Sequence, residues 1–159
     1  MQKTPNWQKN LYLQDDNLKE LMEIFFFSYQ MFTKQADDKL AEMGLGRAHH
    51  RILYFVGANP ELSVSELLAI LKITKQSLSR VLNQLEVEGY IERKSDKKDA
   101  RKRLLWLTPK GRDFEQELTK IQIEILRNAC QKGGADAVEG FRKLALEMMA
   151  DTDKKRMMG

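Results

Sequence analysis

Nine basic side chains stand between Arg93 and Arg112: Arg93, Lys94, Lys97, Lys98, Arg101, Lys102, Arg103, Lys110 and Arg112. Only two acids, Asp96 and Asp99, lie among them, giving a local excess of +7. The chain as a whole carries +4, so the remainder sums to −3. Charge focused on one segment suits a surface that holds a polyanion, because clustered ammonium and guanidinium groups displace counterions from phosphate. Immediately upstream, Leu78, Val81, Leu82 and Leu85 mark the inward stripe of a helix. Its other face presents Lys75, Gln76, Ser77, Ser79, Arg80, Asn83 and Gln84, with no acid before Glu86. Long and short hydrogen-bonding groups arrayed in this way can reach base edges in the major groove of double-stranded DNA.

Other chemistries find little support. The sequence has no glycine-rich phosphate loop, no metal constellation and no nucleophile with a base beside it, so no catalytic residue, metal or cofactor is expected. His49 and His50 are adjacent and would point about 100° apart on a helix, a poor joint metal site. Packing, or one of them at a pocket edge, is the expectation for the pair. Cys130 is the single cysteine, which rules out an intrachain disulfide, and it is expected to be a buried, inert thiol. No run reaches the roughly 18 to 20 apolar residues of a membrane span, and the N-terminal stretch lacks the apolar core of a secretion signal. A cytoplasmic protein without a membrane partner is therefore expected.

The elements that must position these residues are mostly helical. A 42% hydrophobic content supplies a core, and three prolines and nine glycines in 159 residues leave room for long uninterrupted elements. Leu18, Leu21, Met22, Phe25, Tyr29, Phe32 and Ala36 follow one stripe of a helix from about Asp16 to Ala41. Within it, Ile24, Phe25, Phe26 and Phe27 spread over most of the circumference, so one core face cannot bury all four and a partner subunit is expected to cover some of them. A second helix spans about Arg47 to Gly57. Ser63 and Glu66 then form a capping box for a third, Val64 to Leu71. Thr74 caps the helix of the polar face, and the tight join between these two makes a helix-turn-helix. Gly89 ends it. The stretches "YIERK" and "RLLWLT" read as strands of a hairpin with "SDKKDARK" at its tip. Thr108 and Pro109 open a helix to about Gln131, "KGG" breaks it, and Val138, Phe141, Leu144, Ala145 and Met148 mark a last one. A polar tail from Asp151 is expected to fray.

This order, together with "SVSELLAILKITKQSLSRVLNQLEVEGYIER" and above all "DKKDARKRLLWLTPKG", resembles the MarR family of winged helix-turn-helix transcription regulators. The strong match covers about Leu45 to Gly111. The resemblance implies a mainly α fold with a small β-hairpin wing. Residues 45–108 would form the winged helix-turn-helix domain, 1–44 and 109–150 a helical dimerisation region, and 151–159 a flexible tail. It further implies a homodimer on a pseudo-palindromic operator, more often a repressor, with the helix near Thr74 to Glu88 in the major groove and the wing in the neighbouring minor groove.

On the wing, Lys97, Lys98, Arg101 and Arg103 would contact DNA, and Asp99 would pair with Arg101 and orient it. Asp96 is assigned to the turn. Many relatives release DNA when a small aromatic ligand enters a pocket. Here Phe25, Tyr29, His50 and Tyr54 would be its candidates, although aromatics at helical spacing are more often core or interface. The rival from another class is a dimeric winged-helix module that binds protein rather than DNA.

Overall fold

The structure is a computed structural model that describes residues 11–159. Its contacts divide the chain into two units, the first ending at Gln35 and the second running from Ala36 to Gly159. A single helical turn, Leu11–Leu13, precedes helix α1, Asp15–Glu42, which passes from one unit into the other. After it come α2 (Arg47–Ala58), β1 (Leu62–Ser63), α3 (Val64–Leu71), α4 (Lys75–Val87), β2 (Ile91–Ser95), β3 (Arg103–Leu107), α5 (Pro109–Met148) and α6 (Asp151–Met158). The mainly α fold with a hairpin wing is as expected.

In the first unit, α1 opens on Asp15 and Asp16, whose carboxylates suit the positive end of a helix dipole. Ile24, Phe25, Phe26 and Phe27 are all exposed, each by more than half. The apolar stripe drawn through Phe25 and Tyr29 is thus not a buried face of the single chain.

The second unit has one continuous core. Ala36 and Leu40, Ile52 and Leu53 of α2, Leu67 of α3, Leu78, Leu82 and Leu85 of α4, Leu105 of β3 and Leu118 of α5 are buried within it. The helix starts follow local chemistry. Ser63 Oγ accepts from the Glu66 N–H at 3.2 Å, and the Glu66 carboxylate accepts from the Ser63 N–H at 2.8 Å, as the capping box requires. The Ser63 hydroxyl, followed by its N–H, holds Glu66 below the ordinary glutamate pKa. Thr74 Oγ1 caps α4 by accepting from the Ser77 N–H at 3.1 Å. At the other end Gly89 adopts a φ of 78°, and the N–H groups of Gly89 and Tyr90 close back on the carbonyls of Glu86 and Leu85. A glycine there avoids the side-chain penalty of the left-handed turn.

Three expectations are corrected. The sheet has a third strand: β1 pairs antiparallel with β3, Leu62 opposite Leu105, giving the order β1-β3-β2. The segment from Asp151 is helical, with Asp151 and Asp153 in its first turn and Lys155 and Arg156 in its last, the distribution a helix dipole favours. Asp153 also bonds Lys72 Nζ, beside the helix-turn-helix join, at 2.5 Å. Cys130 is exposed rather than buried. The break expected at "KGG" is present, as a kink at Gly134 whose φ of 81° and ψ of 171° are non-helical and divide α5.

Candidate nucleic-acid interface

Helix α4 turns Leu78, Val81, Leu82 and Leu85 into the core, which fixes its polar face outward. Lys75, Gln76, Ser77, Ser79, Arg80 and Asn83 are all exposed. Ser77 Oγ accepts from the Thr74 hydroxyl at 2.9 Å, leaving its own proton available. Arg80 is not paired with Glu86, because Glu86 is held by Arg93. Gln84 departs from the expected face. It is half-buried, its Oε1 lies 2.8 Å from His49 Nε2, and its Nε2 donates to Glu88 Oε1 at 2.9 Å and to the Gly44 carbonyl at 3.3 Å. Since His49 Nδ1 accepts the Gly46 N–H at 3.0 Å, the neutral His49 carries its proton on Nε2 and donates it to Gln84. Gln84 therefore ties α4 to α2 and to the loop before it.

The wing is a hairpin in which Arg93 faces Leu105, Lys94 faces Leu104 and Ser95 faces Arg103. Its tip is shaped by the two acids. Asp96 Oδ1 accepts the Lys98 N–H at 2.9 Å and Asp99 Oδ1 accepts the Arg101 N–H at 3.0 Å, two successive aspartate turns. Two backbone bonds close the loop: the Asp96 N–H donates to the Lys102 carbonyl and the Lys102 N–H to the Asp99 carbonyl, each at 2.9 Å. Asp96 thus helps the turn as expected, but the role given to Asp99 changes. It binds the backbone of Arg101 and not its guanidinium, because a two-residue reach suits a main-chain N–H.

Seven of the nine basic residues fall into distinct uses. Arg93 is forked on Glu86, with Nε to Oε1 at 3.0 Å and Nη2 to Oε2 at 2.5 Å. Lys94 pairs with Glu92 at 2.9 Å and lies over the Trp106 ring. Arg103 donates to Ser95 Oγ across the hairpin. Lys110 donates to the Glu88 carbonyl at 2.7 Å and stands 4.2 Å above the Tyr90 ring, capping the end of α4. Lys97, Lys98 and Arg101 are exposed at the tip, and their side-chain nitrogens meet no acceptor among the described residues. Much of the basic run is structural, and its free charge gathers at the hairpin tip.

Thr108 and Gly111 anchor this hairpin to the end of α4. Thr108 Oγ1 donates to the Gly89 carbonyl at 2.6 Å while accepting the Gly111 N–H at 3.0 Å, so one side chain ends the wing, meets the end of α4 and starts α5. A Cβ on Gly111 would lie 1.9 Å from the Tyr90 carbonyl oxygen, a contact only glycine permits.

The aromatic candidates for a ligand do not form a common set within one unit. Phe25 and Tyr29 lie in the first and are exposed; His50 and Tyr54 lie in the second. His50 is buried, and desolvation lowers its pKa below 6.5 against the opposing pull of Glu115 and Asp37. Tyr54 is exposed, edge-on to the Phe55 ring at 5.3 Å.

Comparison with known proteins agrees with this geometry. The MarR family profile matches residues 43–102. The HTH-type transcriptional regulator PetP of Rhodobacter capsulatus is 40% identical over 152 residues, covering 96% of this chain and 91% of that protein. The HTH-type transcriptional regulator SarZ of Staphylococcus aureus is 22% identical over 148 residues, 91% of this chain and all of that one. Among solved structures, MarR superposes with a TM-score of 0.61 at 24% identity, covering 82% of this chain and 93% of that one. The MepR–DNA complex of S. aureus gives 0.67 at 21%, covering 80% and 94%. The chain belongs to the MarR family of helix-turn-helix transcription regulators.

Proposed function

We propose that the protein binds double-stranded DNA as a homodimer on a two-fold operator and acts there as a repressor. The observation that carries this reading is the division of labour on the wing: Lys97, Lys98 and Arg101 stay exposed at the tip without an acceptor among the described residues, while Arg93, Arg103 and Lys110 hold the hairpin in place. Lys75, Gln76, Ser77, Ser79, Arg80 and Asn83 supply the groove-facing side of α4. Arg101 is the residue assigned to the minor groove. The solved DNA complex of MepR, a protein of the same fold, adds support.

Dimerisation would use residues 1–44 and 109–150, where Ile24, Phe25, Phe26, Phe27, Phe141, Leu144 and Met148 expose apolar side chains that a second copy would cover. Release of the operator by a small aromatic molecule completes the proposal. Phe25, Tyr29 and Tyr54 are the exposed rings such a molecule would meet.

Duplexes enriched from a random pool, titrated across a salt series, test the reading. Log Kd should rise steeply with log salt, and Arg101→Ala should weaken binding and reduce the slope by about one. A wild-type protein that enriches no duplex at low salt, or an Arg101→Ala protein that binds as the wild type does, excludes this mechanism and favours a protein-binding module.

A further inference from the structure

Arg93 stands in the basic run but is held away from any phosphate role. Its guanidinium makes two parallel bonds to Glu86, at 3.0 and 2.5 Å, and a third from Nη2 to Asn83 Oδ1 at 3.2 Å. The Arg93 and Glu86 side chains are only 29% and 25% exposed. Glu86 and Asn83 are neighbours one turn apart on α4, and Arg93 belongs to β2, so this fork joins the reading helix to the wing strand.

The contact also fixes which end of Asn83 is presented. A guanidinium only donates, so the amide atom facing it must be the oxygen. The Asn83 NH2 then remains, on an exposed residue and without a partner among the described residues. It lies on the same helix face as Ser79 and Arg80, four and three positions earlier.

We propose that Asn83 is a specificity-determining residue, aimed by the positioning residue Arg93 so that it offers hydrogen-bond donors to the groove and selects guanine over adenine. A free asparagine grips adenine with both ends of its amide, the oxygen on N6 and the NH2 on N7. With the oxygen engaged by Arg93, half of that grip is lost. Guanine presents two acceptors, N7 and O6, and suits the NH2 alone. This inference rests on the DNA-binding reading and adds to it a base and an orientation mechanism.

The test uses the full-length protein and a randomised duplex pool, with base frequencies read after enrichment and Kd measured against salt. The wild type should enrich guanine over adenine at one position of each half-site. Asn83→Asp, which replaces the donors by acceptors, should move that position toward cytosine and leave the others unchanged. Arg93→Lys and Arg93→Met should both relax guanine toward adenine there by on the order of tenfold, with no change in the salt slope. Lysine keeps the charge but lacks the fork, so its failure to rescue separates aiming from charge. If Arg93 instead contacts phosphate, lysine will preserve binding, methionine will lower the slope by about one, and base frequencies will not move; that result overturns the proposal. Should the Arg93 variants not fold, Asn83→Asp decides alone, and a guanine preference that survives it is equally fatal. A wild-type protein that enriches nothing would remove the DNA-binding reading itself, an outcome distinct from either.

Discussion

The Asp99 carboxylate bonds the main-chain N–H of Arg101 at 3.0 Å, two residues further along the wing tip. The acid therefore sets the backbone from which the arginine departs and leaves the guanidinium free. This resolves an apparent conflict in the sequence, where two acids sit in a segment whose charge is otherwise positive. Each aspartate fixes one turn of the loop, and the basic side chains project from the frame so made.

Asp99→Ala and Asp99→Asn separate that role from charge. Both remove a negative charge close to the proposed phosphate contacts, so electrostatics alone predicts tighter binding from both. Alanine deletes the turn acceptor, whereas asparagine keeps an oxygen at the same place. The expected result is weaker duplex binding for alanine, by about tenfold, and wild-type or tighter binding for asparagine, since ordering a loose loop on binding carries an entropic cost. Titration of one enriched duplex at fixed salt reads the outcome. Tighter binding by Asp99→Ala would show that the turn contributes nothing.

Gly111→Ala tests the join between wing and α5. The added Cβ would sit 1.9 Å from the Tyr90 carbonyl oxygen, and the atoms in conflict are backbone, which cannot rotate away as a side chain end could. Thr108, two of whose hydrogen bonds end at Gly89 and Gly111, would be displaced as well. A loss of about 3 kcal/mol or more is expected in denaturant unfolding, at the upper end of overpacking costs. Gly46→Ala is the control, because a Cβ there meets nothing within 4 Å. Equal stability of the two variants would contradict the assigned close approach.

The parts of this fold that were legible in the sequence are those written in local chemistry. Ser63 with Glu66, Thr74, Gly89 and Thr108 with Pro109 each satisfy backbone groups within a few residues of themselves, so their types announce helix ends before any tertiary structure is known. Strand β1 has two residues and owes its existence to Leu105 across the sheet, a partner 43 positions away that no local pattern reveals. The same limit applied to the site. Composition placed positive charge between Arg93 and Arg112, but only the folded chain shows that Arg93 is spent on Glu86 and Lys110 on the end of α4. Gln84 had the right type and spacing for base contact, but in the folded chain its amide bonds His49 and the Gly44 carbonyl, neighbours that no local pattern reveals. The helical signal of α6 was present in its charge order and was outweighed by its polar composition.

His50 makes stability depend on pH near neutrality. Burial disfavours its charged form, so its folded pKa is below 6.5, although Glu115 and Asp37 pull in the opposite direction and Arg51 adds to the lowering. As pH falls through 6.5 the unfolded chain takes up this proton before the folded chain does, so folding stability must fall, and the loss is complete once pH passes below the folded pKa. Glu66, also lowered, adds a separate loss beneath its ordinary value of 4.5. His50→Gln should flatten the part of the curve just below pH 6.5 while leaving the Glu66 region in place. Urea midpoints measured at half-unit pH steps give the comparison, and parallel curves for the two proteins would remove His50 as the cause.

The exposed aromatic run on α1 marks the proposed subunit contact. Phe26 and Phe27 meet edge to face at 5.3 Å and are 62% and 57% exposed, flanked by Ile24 and Phe25 in the same condition. Four large apolar side chains in sequence cannot share one buried face, because successive positions on a helix differ by about 100°. A second copy of the chain is the proposed cover, in keeping with the proposed two-fold operator. Phe26→Glu combined with Phe27→Glu should therefore shift the protein from dimer to monomer in sedimentation, since burying two carboxylates in an apolar contact is strongly disfavoured. Duplex affinity should fall with it, by more than tenfold, as one reading head replaces two. The core of the second unit contains neither residue. Its cooperative melting, followed by near-ultraviolet dichroism of Trp106 and Tyr90, should persist in the monomer. A variant that remains dimeric would place the subunit contact elsewhere, and one that becomes monomeric with undiminished affinity would overturn the two-headed mechanism.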